Sequence, residues 1–184
     1  MRIRSRWNRK DKERSPEEQA SVLGFIIWRI ACNAVLNLEN EGFQTDTQRQ
    51  RLDVIGELVA YLLHVVDRLT FERLSVAERE RFIGAVAQRL LNIWHDNLRD
   101  ALGPGDHRQA MAERLNARMS EYAELPFGDG EPGFAFNRYL GACITEVMGP
   151  RDNRWILDQV MAIEVPEALQ TLRKALRDVM PAGA

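Results

Sequence analysis

Three polar side chains on one predicted helix have the residue types of a metal site. They are Glu57, His64 and Asp67, and carboxylate and imidazole groups together suit iron, manganese or zinc. Glu57 and His64 lie two helical turns apart, about 10 Å along the axis, so they cannot ligate one ion directly. Only His64 and Asp67, at positions i and i+3, face a common point. A site for a divalent transition metal would therefore combine His64 and Asp67 with Glu57 or His95.

The same glutamate has a second interpretation, as one half of a buried ion pair. The first two predicted helices are joined by a short turn near Phe43, so they should be antiparallel neighbours. Folding the chain there places Arg29 level with Glu57, and Asn33 level with Asp53. A charged group on a central helix is costly unless it is paired. The spacing therefore favours a buried Arg29–Glu57 pair over the metal site.

Patterns for other chemistries are incomplete. His95-Asp96 resembles the dyad of metal-dependent phosphohydrolases, but adjacent helical residues point about 100° apart, and that class needs more histidines than remain. The sequence contains no Gly-x-Ser-x-Gly elbow and no Gly-x-x-x-x-Gly-Lys phosphate loop. Its two cysteines are too few for a disulfide scaffold or a four-thiolate zinc site. We expect no catalytic set and no cofactor.

Helix signals position these residues along the whole chain. Ser15-Pro16-Glu17-Glu18 and Ser75-Val76-Ala77-Glu78 are capping boxes, and glycines follow the predicted helix ends. Strand patterns are nearly absent, with no Asp-Gly hairpin between alternating runs. The fold class is therefore all-α: an antiparallel bundle of four longer helices plus two or three shorter C-terminal helices. The predicted helices cover about residues 15–40, 45–74, 75–102, 106–125, 134–148, 151–163 and 166–180.

Helix 45–74 is predicted to be the centre of this bundle, because it is apolar on two flanks. The most apolar window of the chain, Val22–Leu38, is shorter than a membrane span usually needs and contains Arg29 and Asn33. We interpret that window as a buried helix of a soluble protein. The two apolar lines of helix 45–74 are Leu52, Ile55, Val59, Leu62, Val66 and Leu69, and Val54, Leu58, Tyr61 and Val65.

Residues 1–14 form a basic arm, which we expect to be disordered. Seven basic and two acidic residues give the arm a charge of +5; since the chain carries −2, the remainder carries −7. An acidic body repels phosphate, which argues against duplex DNA as a partner. The arm could instead contact an anionic membrane surface, RNA or an acidic protein. Its candidate contact residues are Arg2, Arg4, Arg6, Trp7, Arg9 and Lys10.

Residues 15–180 are predicted to form a single helical domain. It divides into a four-helix core over 15–125, a connector over 126–133 rich in glycine and proline, and C-terminal helices over 134–180. The last helix could pack inside the chain or at the seam of a homodimer. The arm lacks the apolar stretch of a secretory signal, so we expect a cytoplasmic protein that can also associate peripherally with a membrane. The apolar seam of the last helix consists of Val165, Leu169, Leu172, Leu176 and Val179.

Residues 51–122 carry short motifs in a particular order. They are Arg51-Leu52-Asp53, His64, Arg68-Leu69, Asp96-Asn97-Leu98-Arg99, Gly103-Pro104-Gly105-Asp106, Ala117-Arg118 and Glu121-Tyr122. In these motifs the chain resembles the bacterial relatives of the ubiquinol–cytochrome c chaperone family. Its helix break at Gly103-Pro104-Gly105 is one residue longer than that family's pattern. The resemblance implies an all-helical assembly factor that binds a membrane-protein client or a ribosome near the membrane. The resemblance does not identify any binding residue in this sequence.

Two functional hypotheses follow from these patterns. The first is a non-catalytic helical interaction protein, an assembly factor, chaperone or adaptor with a protein partner, which acts through its surface and the basic arm. The alternative is a metal-dependent enzyme or metal sensor with a carboxylate and histidine site in the bundle.

Overall fold

A computed structural model of the chain describes residues 15–150 and 155–180. The predicted all-α bundle is confirmed, while the basic arm lies outside the described residues. The helices are α1 (Pro16–Asn40), α2 (Gln48–Thr70), α3 (Val76–Leu102), α4 (Arg108–Ala123), α5 (Phe134–Met148), α6 (Ile156–Gln159) and α7 (Val165–Val179). A π-helical turn, Val160–Glu164, joins α6 to α7. A two-stranded hairpin, β1 (Phe127–Gly128) and β2 (Glu131–Pro132), precedes α5.

Capping side chains begin the first three helices. Ser15 and Ser75 make the two predicted capping boxes, in which each hydroxyl accepts from the backbone N–H three residues later. Thr47 caps α2, so this helix begins two residues later than predicted. At α4 the predicted cap is displaced by one residue: His107 occupies the cap position, and the Asp106 carboxylate accepts from the Arg108 N–H at 3.1 Å.

Helix α2 is central, as its two apolar flanks predicted. It packs against α1, α3, α4 and α5, and most of its length is buried. Short turns make α1 and α3 antiparallel to α2. The Gln50 side chain donates to the Val147 carbonyl and the Tyr61 hydroxyl donates to Asn137, which fixes α5 antiparallel to α2. Helix α4 returns from α3 and therefore runs parallel to α2.

Helices α2 and α3 come very close at one glycine. A Cβ placed on Gly56 would lie 2.3 Å from Cζ2 of the Trp94 ring. Trp94 is only 2% exposed, so its ring has little space to move away. The absence of a side chain at position 56 therefore allows this indole to pack against the backbone of α2.

Helix α7 closes the bundle on α1. The apolar seam of the last helix is buried within this chain, with each of its five residues at most 5% exposed. We predicted a break before Pro166, but the π-helical turn passes directly into α7. Proline is tolerated there because the N–H groups of a helix's first turn need no partner within that helix.

The predicted connector contains a minimal hairpin that the strand patterns did not reveal. Asp129 and Gly130 form its turn with φ of 52° and 72°, the left-handed conformations that favour such a pair. Arg173 of α7 donates to the Gly130 carbonyl at 2.9 Å and pairs with Glu131 at 2.6 Å. The hairpin is therefore held against the bundle.

Candidate functional site

Two carboxylates of α2 meet two guanidinium groups of α4. Asp53 and Glu57 are one turn apart on α2, and Arg114 and Arg118 repeat the same spacing on α4. Because the two helices run parallel, the pairs form two successive rungs, which we call the α2–α4 ladder. Arg114 Nη1 lies 2.8 Å from Asp53 Oδ1, and Arg118 Nε lies 2.6 Å from Glu57 Oε2. Arg118 Nη2 donates a second hydrogen bond to Glu57, to Oε1 at 3.2 Å.

The Glu57–Arg118 rung continues into α5. Arg118 Nη1 donates to Glu121 Oε2 at 2.8 Å and to the Tyr139 hydroxyl at 3.0 Å. The hydrogen bonds to Glu57 raise the pKa of Arg118 further above its ordinary value, and the bond from Tyr139 lowers the pKa of Glu121. Burial raises the pKa of the neighbouring Cys143 thiol, which is therefore protonated at neutral pH. This network gives Glu57, which is 1% exposed, a charged hydrogen-bond partner inside the bundle.

A cleft of about 550 Å³ opens beside the ladder, between α2, α4 and α5. Its walls carry both signs of charge, and the arginines of the ladder are bonded to its carboxylates. These bonds suit a structural role better than acid–base chemistry. The cleft is lined by Asp46, Thr47, Arg49, Gln50, Asp53, Arg114, Arg118, Glu146 and Val147.

The predicted Arg29–Glu57 pair is wrong. Glu57 is buried as expected, but its partner is Arg118, and Arg29 is exposed on α1. Asn33 is exposed too, and Asp53 pairs with Arg49 and Arg114. The prediction considered only which residues of α1 and α2 lie at the same height along the helix axis. It did not consider how α1 is rotated about its own axis, and this rotation points Arg29 away from α2.

The candidate metal ligands do not share one point. His64 Nε2 accepts a hydrogen bond from Arg68 Nε at 3.1 Å, and Asp67 pairs with Arg79 at 3.6 Å. Burial, then the nearby Arg68 and Arg79, lower the pKa of His64 to about 4, so its ring is neutral at pH 7. Glu57 is held by Arg118 in the ladder. Within residues 15–150 and 155–180, no three His, Cys, Asp or Glu side chains are placed to hold a metal ion.

His95, the fourth candidate, lies on α3 and contacts a different histidine. Its ring centroid is 6.1 Å from that of His107, at the start of α4. It is 8% exposed, so its position is well inside the bundle surface. Among the described residues, His95 does not join Glu57, His64 and Asp67 in a group of three that could hold a metal ion.

A second buried carboxylate lies in the π-helical turn. Glu164 is 1% exposed and accepts hydrogen bonds from the Asn37 and Gln159 amides, each at 3.3 Å. Burial raises its pKa, and the negative charges of Glu41 and Glu167 act in the same direction, against the two amides. The folded state therefore favours the protonated form of Glu164 more than the unfolded chain does.

Replacement of Glu164 with glutamine should change how stability depends on pH. Because the folded pKa is raised, the contribution of Glu164 is greatest below its ordinary value near 4.5 and is lost as pH rises through the folded value. Unfolding free energies of both proteins should be measured from pH 4 upward. We expect Glu164→Gln to gain stability relative to the parent as pH rises through that window. A constant difference across the window would contradict this assignment.

Helix α1 presents an apolar surface to solvent. The segment Gln19–Leu38 contains one charged residue, Arg29, yet half of its most apolar window is buried. Phe25 and Leu36 are 44% and 47% exposed. The prediction that Val22–Leu38 is a buried helix is therefore correct for one face only. We define the outer face of α1 as Val22, Phe25, Ile26, Arg29, Cys32, Asn33 and Leu36, all exposed or half-buried.

The length and hydropathy of α1 also match those of a membrane span. Its best window has a mean hydropathy of 1.6. The opposite face of α1, however, packs against α2, α3 and α7, as the core helix of a bundle does.

Sequence reasoning missed Arg114, Arg118 and Tyr139. A signal for the arginines was present, because Asp53 and Glu57 have the same i, i+4 spacing as Arg114 and Arg118. That match becomes a contact only if α4 runs parallel to α2, which depends on the path of the turn after α3.

Comparison of the chain with protein-family models, curated proteins and solved structures finds no match. The architecture defines the class of protein, an all-α helical bundle. The resemblance to the ubiquinol–cytochrome c chaperone family stays a prediction.

Proposed function

We propose that this chain is a non-catalytic helical interaction protein, an adaptor or assembly factor that docks on an anionic membrane surface. Docking would use the outer face of α1 together with the basic residues 1–14. The observation that carries the proposal is the outer face itself: exposed Phe25 and Leu36 flank Arg29, with no acidic residue from Gln19 to Leu38. Apolar side chains combined with cationic ones suit the boundary between lipid headgroups and acyl chains.

Charge gives the second support for a lipid surface. Residues 1–14 carry +5 and precede Ser15, the N-cap of α1, in the sequence. Each basic residue near an anionic membrane contributes about 1 kcal/mol, and this attraction is screened by salt. A non-catalytic role agrees with the α2–α4 ladder, whose charges are bonded to one another.

Vesicle co-sedimentation tests the proposal. The full chain should bind vesicles that contain phosphatidylglycerol, bind vesicles of phosphatidylcholine alone much less, and be released as salt increases. The Phe25→Ser/Leu36→Ser variant should bind at least about tenfold more weakly, since it removes apolar groups that insert. Arg29→Glu should also weaken binding, and its exposed side chain can change without loss of packing.

Phe71→Ser is the matched control. Phe71 is 61% exposed and lies beyond the C-terminal end of α2, so it does not belong to the outer face of α1. Its replacement should leave vesicle binding unchanged, and circular dichroism should confirm that every variant is helical. Equal binding by the parent and the outer-face variants would contradict the proposal, as would no binding to anionic vesicles.

A further inference from the structure

The turn between α3 and α4 brings two histidines together. Gly103 ends α3 with a φ of +87°, and the chain turns back so that His107 lies against α3. The centroids of the His95 and His107 rings are 6.1 Å apart, and the ring planes meet at 54°. The two histidines are twelve positions apart in the sequence, and the turn after α3 brings them together.

Each ring holds a shielded nitrogen that lacks a partner. His95 Nδ1 and His107 Nε2 are closed to solvent, and neither has a hydrogen-bond partner among the described residues. Buried polar atoms are normally satisfied, so two such atoms on adjacent rings require an explanation. A shared ligand would satisfy both nitrogens at once.

We propose that His95 and His107 together bind a divalent transition metal ion. An ion about 2.0–2.1 Å from one nitrogen of each ring separates the ring centroids by roughly 5–6.5 Å, a range that includes the observed distance. Imidazole suits zinc, copper and nickel, and the general affinity order places Cu²⁺ highest. The two imidazoles are the protein ligands of this site, because the described residues bring no third ligand of the usual types to this point.

Gly105 leaves the space that this site requires. A Cβ at that position would lie 3.1 Å from His107 Nε2 and 3.2 Å from Cε1. Alanine at position 105 would therefore press on the proposed ligand atom. The glycine acts as a positioning residue, since it does not itself bind the ion.

His64 does not form an equivalent site. Its Nδ1 is also unpartnered, but its Nε2 is occupied by Arg68. The rings nearest to it belong to Tyr122 and Phe136, which offer no second imidazole. His64→Gln therefore serves as a control that removes a histidine and leaves the proposed site intact.

The test uses the full chain without a histidine tag. Calorimetric titration with Cu²⁺ should give one ion per chain, and electron paramagnetic resonance should show coupling to two imidazole nitrogens. Zn²⁺ should compete with Cu²⁺ for this site, and its binding should raise the melting temperature of the protein. His107→Gln should weaken Cu²⁺ binding at least tenfold, and Gly105→Ala should weaken it to a smaller extent, whereas His64→Gln should bind as the parent does.

The choice of His107 keeps the test decisive. This side chain is half-buried in a turn, so His107→Gln should retain the helical circular dichroism of the parent even if His95→Gln does not. Unchanged Cu²⁺ affinity in folded His107→Gln would overturn the proposal and assign the ion to another group. Absence of stoichiometric Cu²⁺ binding by the parent would overturn it too.

Discussion

Replacing Arg118 with alanine is expected to lower the free energy of unfolding by about 3–5 kcal/mol. The reason is the position of Glu57, which is 1% exposed and receives two hydrogen bonds from this guanidinium. Without Arg118, the buried Glu57 carboxylate loses its one ionic partner among the described residues, and the Tyr139–Glu121 bond loses the neighbouring cation. Equilibrium denaturation in urea, monitored by circular dichroism, measures the change.

Arg29→Ala is the matched control for this experiment. Arg29 is the partner that the sequence pattern predicted for Glu57, but it is exposed and should change stability by no more than about 0.5 kcal/mol. A double-mutant cycle with Glu57→Leu and Arg118→Met should show coupling, because replacing both partners leaves no unpaired charge. A loss in Arg29→Ala as large as in Arg118→Ala would contradict the observed pairing.

The second large effect is expected at Gly56, where alanine should destabilise the protein. An exposed helical glycine usually gains about 0.5–1 kcal/mol on replacement with alanine. At position 56, however, the new methyl group would lie 2.3 Å from the buried Trp94 ring. Forcing an extra group into a packed interior costs about 1–3 kcal/mol, so the clash outweighs the gain in helix propensity.

Two further variants isolate the clash at Gly56. Gly84→Ala lies in α3, where a Cβ would meet nothing within 4 Å, and it should stabilise the protein. Trp94→Leu alone should be costly because it leaves a cavity, but in combination with Gly56→Ala the methyl group gains room. The double variant should therefore be more stable than the sum of the two single changes predicts. Strict additivity would show that the ring and the glycine are not in contact.

The sequence predicted best those features that depend on local signals. Ser75 and Gly103 bound α3 as expected, because a cap hydroxyl and a glycine stop act within one helical turn. The central position of α2 was also predictable, since only a helix covered on several sides can be apolar on two flanks. The Asp129-Gly130 hairpin was missed because its strands are too short for any alternating pattern to appear.

Features that depend on rotation or on distant segments could not be predicted in the same way. The need of Glu57 for a partner was evident from its central helix, but the identity of Arg118 depended on α4 lying parallel to α2. The exposure of Phe25 and Leu36 was hidden for a related reason, because apolar composition does not show how many faces of α1 are covered. The His95–His107 contact likewise exists only through the turn after Gly103.

The most direct measurement of the central claim reports which surface meets the membrane. An environment-sensitive fluorophore can be attached at Phe25→Cys in a Cys32→Ser background, with Phe71→Cys in the same background as the control position. Cys143 is 4% exposed and its thiol pKa is raised by burial, so it should label slowly. On addition of phosphatidylglycerol vesicles, we predict a blue shift and stronger emission at position 25, and no change at position 71. Binding with an unchanged signal at position 25 would contradict docking through the outer face of α1.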